Sequence, residues 1–132
     1  MRTKSTKLND SFFRKKLSAE AYHVMRQKGT ELPFSGRYLY LNDSGTYCCA
    51  ACKQKLFSSD SKFRSGTGWP SFDESIPKSV LIRPDFRYFM ARNEVICSRC
   101  GSHLGHLFSD GGGRTDMRYC INSAALLFVP KK

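Results

Sequence analysis

With 132 residues the chain is long enough to bury one core and too short for two comfortable domains. Its 40% hydrophobic and 13% aromatic content excludes a disordered chain, and no apolar run is long enough to cross a bilayer as a helix. The formal charge of +11 invites a nucleic-acid reading, yet nine of the 22 basic residues fall in residues 1–40 and the rest are spread thinly. No arginine-rich run is present, so a solvated basic surface is preferred, with no specific nucleic-acid or membrane partner expected.

In chain order, residues 1–16 read as a polar, basic tail ending in a short turn that Asp10 caps, and residues 17–132 as the domain proper. The tail has no apolar stretch behind its basic residues, so the cytoplasm is the expected compartment. Ser18 reads as a helix N-cap, with Leu17 and Tyr22 as a hydrophobic staple and Gly29 closing the helix. Beyond Pro33 the character changes. Short runs rich in β-branched and aromatic residues alternate with turn chemistry: Arg37–Leu41, Thr46–Cys49, Val80–Ile82, Tyr88–Arg92, Glu94–Cys97, Arg118–Ile121 and Ala125–Val129. The last run is continuously apolar and is expected to lie centrally in the core. The fold class expected is mainly β, mostly antiparallel, with a short helical N-terminal arm.

Six cysteines require an account, and their spacing supplies most of it. Cys49-Ala-Ala-Cys52 and Cys97-Ser-Arg-Cys100 are knuckles of one type, each following a strand-like run and turning sharply. Two such knuckles bring four thiolates into the closed tetrahedron of a structural zinc ion. Forty-four residues separate Cys52 from Cys97, so the ion would clip together two distant hairpins. A thioredoxin-like pair would need a βαβ setting, and a haem site would need histidine where Gly101 stands.

Two thiols remain, Cys48 and Cys120. An unperturbed thiol is only about 3% thiolate at neutral pH, so a nucleophile needs help. Arg118 and Asn122, two residues either side of Cys120 on a strand, project to its face and suit thiolate support. An inert buried cysteine fits the local residues equally well. His103 and His106 follow the second knuckle, with Gly105 allowing a tight turn between them and Asp110 near enough to orient one ring. A nucleophile with proton donors is one reading of this set. Trp69, in a glycine-rich loop, either plugs the core or walls a small apolar pocket.

Three blocks, Gly66-Thr-Gly-Trp-Pro-Ser-Phe72, Cys97-Ser-Arg-Cys-Gly-Ser-His-Leu-Gly-His-Leu-Phe108 and Arg118-Tyr-Cys-Ile-Asn-Ser123, resemble the signature blocks of the methionine-R-sulfoxide reductases. The likeness runs from about Leu17 to Phe128. It implies a fold of two antiparallel sheets with zinc remote from the chemistry. It implies that Cys120 attacks the sulfoxide sulfur of peptide-bound methionine sulfoxide and becomes a sulfenic acid. His103 and His106 would protonate or hydrogen-bond the departing oxygen, and Trp69 and Phe108 would contact the substrate, Trp69 at its ε-methyl. Arg118 and Asn122 would support Cys120, and Asp110 the histidine and water network. Thioredoxin or a small thiol would be the reductant, and a monomer is expected.

The resemblance departs at one place. Many members carry a resolving cysteine in the Ser-Gly-x-Gly-Trp loop, where this chain has Thr67. Either Cys48 resolves through a conformational change, or an external thiol reduces the sulfenic acid directly; the second is preferred. Read without the resemblance, a non-catalytic zinc module and a Cys/His hydrolase are the competing classes.

Overall fold

The computed structural model describes residues 10–87, 91–110 and 113–131. Among these residues two short α-helices, α1 (Asp10–Lys16) and α2 (Ala19–Arg26), precede nine strands: β1 (Gly45–Cys49), β2 (Lys55–Ser58), β3 (Lys62–Phe63), β4 (Ser71–Phe72), β5 (Val80–Asp85), β6 (Arg92–Cys97), β7 (His103–Phe108), β8 (Arg118–Ile121) and β9 (Leu126–Pro130). They form a three-stranded sheet ordered β2-β1-β9 and a six-stranded sheet ordered β3-β4-β8-β7-β6-β5, with every pairing antiparallel. The expected mainly β class with two antiparallel sheets holds. No helix among the described residues is long and apolar enough to cross a membrane.

The sheets meet through aromatic side chains. Phe57 of β2 stacks on Phe72 of β4 with centroids 4.4 Å apart, and Tyr47 of β1 meets Phe72 edge-on at 5.1 Å. All three are fully buried, and such pairs add to the burial energy through their quadrupoles. Helix α2 starts where expected, with the Ser18 hydroxyl accepting from the Ala21 N–H at 3.1 Å. It ends at Arg26, short of Gly29. Lys28 takes the left-handed conformation (φ 56°), and Gly29 N–H donates to the His23 carbonyl. Arg26 then reaches Ser102 Oγ at 3.1 Å, tying the helix to the turn before β7.

Several strand expectations fail for identifiable reasons. Arg37–Leu41 forms turns, its N–H groups closing onto Gly36 and Tyr38 carbonyls. The alternation there serves loop packing, since Tyr38 packs against Tyr47 and Phe128 and Lys62 Nζ binds the Leu39 and Leu41 carbonyls. Of Tyr88–Arg92, residues 88–90 lie outside the described residues, and Arg92 opens β6. The apolar run Ala125–Val129 enters the core only at its start, where Ala125 and Leu126 are fully buried; as an edge strand it then runs outward, and Val129 is 48% exposed. Strand β7 occupies the place expected to turn at Gly105. That glycine serves close approach, because a Cβ there would lie 2.0 Å from the Cys120 carbonyl oxygen of β8.

Candidate functional site

Strand register assembles the site. Ser71 of β4, Cys120 of β8, His106 of β7, Glu94 of β6 and Arg83 of β5 are successive cross-strand partners, one transverse row of the six-stranded sheet. Residues directly opposite share a face, so the thiol and the His106 imidazole project to the same side. Cys120, His106, Trp69, Phe108, Asn122 and Arg92 line one small cleft of about 90 Å³.

Each wall is held in place. The Trp69 indole N–H donates to the Glu31 carbonyl at 3.0 Å. The Glu31 N–H donates to Asn122 Oδ1 at 2.9 Å, and Asn122 Nδ2 donates to the Leu104 carbonyl at 3.0 Å. Asn122 therefore locks the cleft floor, with both ends of its amide engaged by backbone. Arg118 makes a bidentate pair with Asp110 (2.9 and 2.8 Å) and lies 4.5 Å over the Phe108 ring. Asp110 thus orients Arg118, and carboxylates elsewhere hold the histidines.

Those carboxylates are Glu94 and Asp85. His103 Nδ1 lies 2.6 Å from Glu94 Oε2, and His106 Nε2 lies 2.8 Å from Asp85 Oδ2. The two rings meet edge-on with centroids 5.3 Å apart. Burial strips water from both imidazoles and outweighs their carboxylate partners: His103 is driven down to about 4, and His106 below its ordinary range. Both rings are neutral near pH 7, and each spends its single N–H on its carboxylate. His103 Nε2 is buried with no hydrogen-bond partner among the described residues.

Burial also pushes the Cys120 thiol up, against the Arg118 charge and a hydrogen bond from the Thr67 side chain. The resting group is a thiol. Thr67 Oγ1 in turn lies 2.8 Å from Ser65 Oγ, which is 2.7 Å from Ser71 Oγ, so a chain of hydroxyls runs up to the sulfur. Arg92 brings a cation, with its Nε buried and without a hydrogen-bond partner among the described residues and its Nη2 3.9 Å from Asp85.

A second centre lies apart from this cleft. The Sγ atoms of Cys49, Cys52, Cys97 and Cys100 all lie within 4.8 Å of one another. The two knuckles are built alike. Cys49 and Cys97 each accept from the residue after the second cysteine (Lys53 and Gly101 N–H, both 2.9 Å), and those residues have positive φ of 70° and 76°. One knuckle joins β1 to β2 and the other β6 to β7, so a shared metal would clip the two sheets together.

Residues 17–130 match the SelR domain family. This chain belongs to the methionine-R-sulfoxide reductase family. It is 56% identical over 129 residues to the peptide methionine sulfoxide reductase MsrB of Methanosarcina barkeri, covering 97% of this chain and 91% of that protein. It is 48% identical over 133 residues to the human mitochondrial methionine-R-sulfoxide reductase B2, covering 95% of this chain and 73% of that protein. The Methanosarcina mazei MsrB is 59% identical over 117 residues, or 88% and 84% of the two chains.

The Thr67 side chain lies beside Cys120, where it counters the upward push of burial on the thiol. Cys48 belongs to the other sheet, on β1, and lines a groove with Thr46, Lys55 and Val129 that shares no residue with the Cys120 cleft. Sequence reasoning brought Cys120, both histidines, Trp69, Phe108 and Asn122 into view. It missed Glu94, Asp85, Arg92 and Glu31. An acid at the start of the buried run Glu94–Cys97 was a usable signal for Glu94; Asp85 and Glu31 carry no local signal.

Proposed function

We propose that this chain reduces the R epimer of peptide-bound methionine sulfoxide to methionine, with Cys120 as nucleophile, in the repair of oxidised proteins. The observation that carries the reading is the direct cross-strand pairing of Cys120 with a neutral His106 in a cleft walled by Trp69 and Phe108.

The protons close without an outside donor. The Cys120 thiol gives its proton to the free nitrogen of His106, whose imidazolium is steadied by Asp85. The thiolate attacks the sulfoxide sulfur, and the imidazolium returns the proton to the oxygen as negative charge grows on it. In the resulting adduct the hydroxyl passes from the methionine sulfur to Cys120 Sγ: the methionine S–O bond and the transient S–S bond break, a Cys120 S–O bond forms, and the S–S electron pair stays on the departing methionine, leaving Cys120 as the sulfenic acid. Two equivalents of an external thiol, thioredoxin or a small thiol, then restore Cys120 and release water and a disulfide. Arg118 and the Thr67 hydroxyl support the thiolate. Arg92 supplies fixed positive charge at the cleft, and His103 with Glu94 backs His106. Trp69 and Phe108 accept the apolar methyl end of the side chain.

The four-cysteine cluster fits a structural zinc ion. Tetrahedral bonds of about 2.3 Å place sulfurs roughly 3.8 Å apart. Cys49 and Cys100 are 3.7 Å apart here, and Cys52 and Cys97 are 3.6 Å apart. Ser102 Oγ lies 3.1 Å from Cys100 Sγ and Gln54 Nε2 3.5 Å from Cys97 Sγ, the second layer of hydrogen bonds that such thiolates need. Zinc there would hold the sheets together and stay out of the reaction. A reducing compartment such as the cytoplasm keeps these thiols available.

The deciding assay supplies dithiothreitol and each epimer of a methionine sulfoxide peptide in turn. Turnover of the R epimer alone is expected, and failure with both would favour a non-catalytic zinc module.

A further inference from the structure

Two large apolar side chains that border one hollow stand in solvent ahead of the first strand: Phe34 is 59% exposed and Tyr40 61%. Single exposed apolar residues are ordinary, but a group of them around one hollow marks a binding surface. Phe34, Leu39, Tyr40, Phe63, Gly68 and Trp69 line a cavity of about 210 Å³. Trp69 also walls the Cys120 cleft, so the same residue borders both hollows.

Phe34 is held there against its conformational preference. Its φ of 64° is left-handed, costly for a bulky residue. The Phe34 N–H donates to the Gly68 carbonyl at 2.7 Å, and a Cβ on Gly68 would come within 3.1 Å of the Phe34 ring. The strained backbone thus presents an aromatic ring outward beside Trp69, and Phe34 is not among the described residues that form or pack against the buried core.

We infer that this hollow is a subsite for an apolar side chain of the substrate polypeptide, one flanking the oxidised methionine; the inference rests on the reductase reading of the Cys120 cleft. Successive residues of an extended chain are about 3.3 Å apart, so a flanking side chain lies within reach of the second hollow while the sulfoxide occupies the first. The Arg64 guanidinium lies 5.8 Å from the Tyr40 ring centre and lines the same cavity. Apolar and aromatic flanks are therefore favoured and basic flanks disfavoured.

The test measures kcat/KM of the full chain, with excess dithiothreitol, on blocked pentapeptides of R-methionine sulfoxide between glycines. Companion peptides place Leu, Phe or Lys immediately before or after it. Leu or Phe at one flank should raise kcat/KM about tenfold over glycine, chiefly through KM, while Lys should fall below glycine. Tyr40→Ala and Phe34→Ser should each shrink the Leu-to-Gly ratio to within about twofold. If Phe34→Ser does not fold, Tyr40→Ala and the wild-type series carry the comparison. Flank-independent turnover by the wild type would overturn the subsite while leaving the reductase reading intact. So would a preference that both variants retain. No turnover of any peptide would overturn the reductase reading and the subsite with it.

Discussion

His106 and Cys120 stand directly opposite each other on β7 and β8, and Gly105 lets those strands approach by leaving room for the Cys120 carbonyl. Backbone register thus keeps the two residues opposite each other on one face of the sheet, whatever rotamers they adopt.

Replacing Cys120 with serine should reduce turnover to background, because a hydroxyl is a far weaker nucleophile. Metal content and the unfolding midpoint should stay near wild type, since the cysteine cluster lies elsewhere in the fold. Appreciable residual activity in Cys120→Ser would move the nucleophile to another thiol.

Substituting His106 with asparagine should lower kcat by roughly 100- to 10,000-fold with little loss of folding, the usual worth of a positioned acid–base group. Asp85→Asn should lower it less, because the ring remains but its imidazolium loses a counter-charge. Wild-type kcat in His106→Asn across pH 6–8 would exclude the proton path through this ring.

Stability should fall on mild acidification. His103 is held at about 4 against 6.5 when exposed, so the unfolded chain binds the extra proton. The stabilisation is complete above 6.5 and is lost as pH drops from 6.5 to about 4, with His106 adding in the same direction. Burial pushes the Glu94 carboxyl up, but Arg83 and His103 outweigh it, so its own loss comes at lower pH. Urea unfolding at pH 7 and pH 5 should differ by about 2 kcal/mol from His103 alone, and His103→Gln should shrink that difference. Equal stability at the two pH values would contradict a buried neutral His103.

Changing any of Cys49, Cys52, Cys97 or Cys100 to serine should release metal and melt the domain. Structural zinc contributes about 10–16 kcal/mol of apparent binding energy, against a whole-domain stability of about 5–15 kcal/mol. Metal analysis beside thermal unfolding checks this, and a variant that lost zinc yet kept its midpoint would show the centre to be dispensable.

One equivalent of substrate should leave Cys120 as sulfenic acid, with no Cys48–Cys120 disulfide. The two thiols lie on different sheets and in different hollows, and a disulfide needs Cα atoms within about 7 Å. Intact mass with a sulfenic-acid trap separates gain of an oxygen from loss of two hydrogens. Cys48→Ala should keep its activity with a small thiol, and Thr67→Cys should speed turnover with thioredoxin. A Cys48–Cys120 disulfide formed at the rate of turnover would make Cys48 the resolving residue.

What the sequence alone determined is what short stretches of chain can specify. Each cysteine knuckle needs only two cysteines and a residue in the left-handed region, so Cys49–Lys53 and Cys97–Gly101 were legible as a pair of like turns. The Ser18 cap was legible for the same reason. Cys120, His103, His106 and Trp69 stood out through compact motifs. Which groups serve them was a different matter. Asp110, four residues from His106, turns to Arg118, while Asp85, 21 residues away, takes His106. The alternation of side chains tells which face a residue occupies and never which strand lies next to it. Only the order β8-β7-β6-β5 puts Glu94 and Asp85 beside the imidazoles, and only the pairing of two sheets sets Cys48 apart from Cys120. The same long-range pairing made an extended strand of the Gly105 segment and an edge of the apolar run through Val129, because a strand's place in a sheet is decided by its partners.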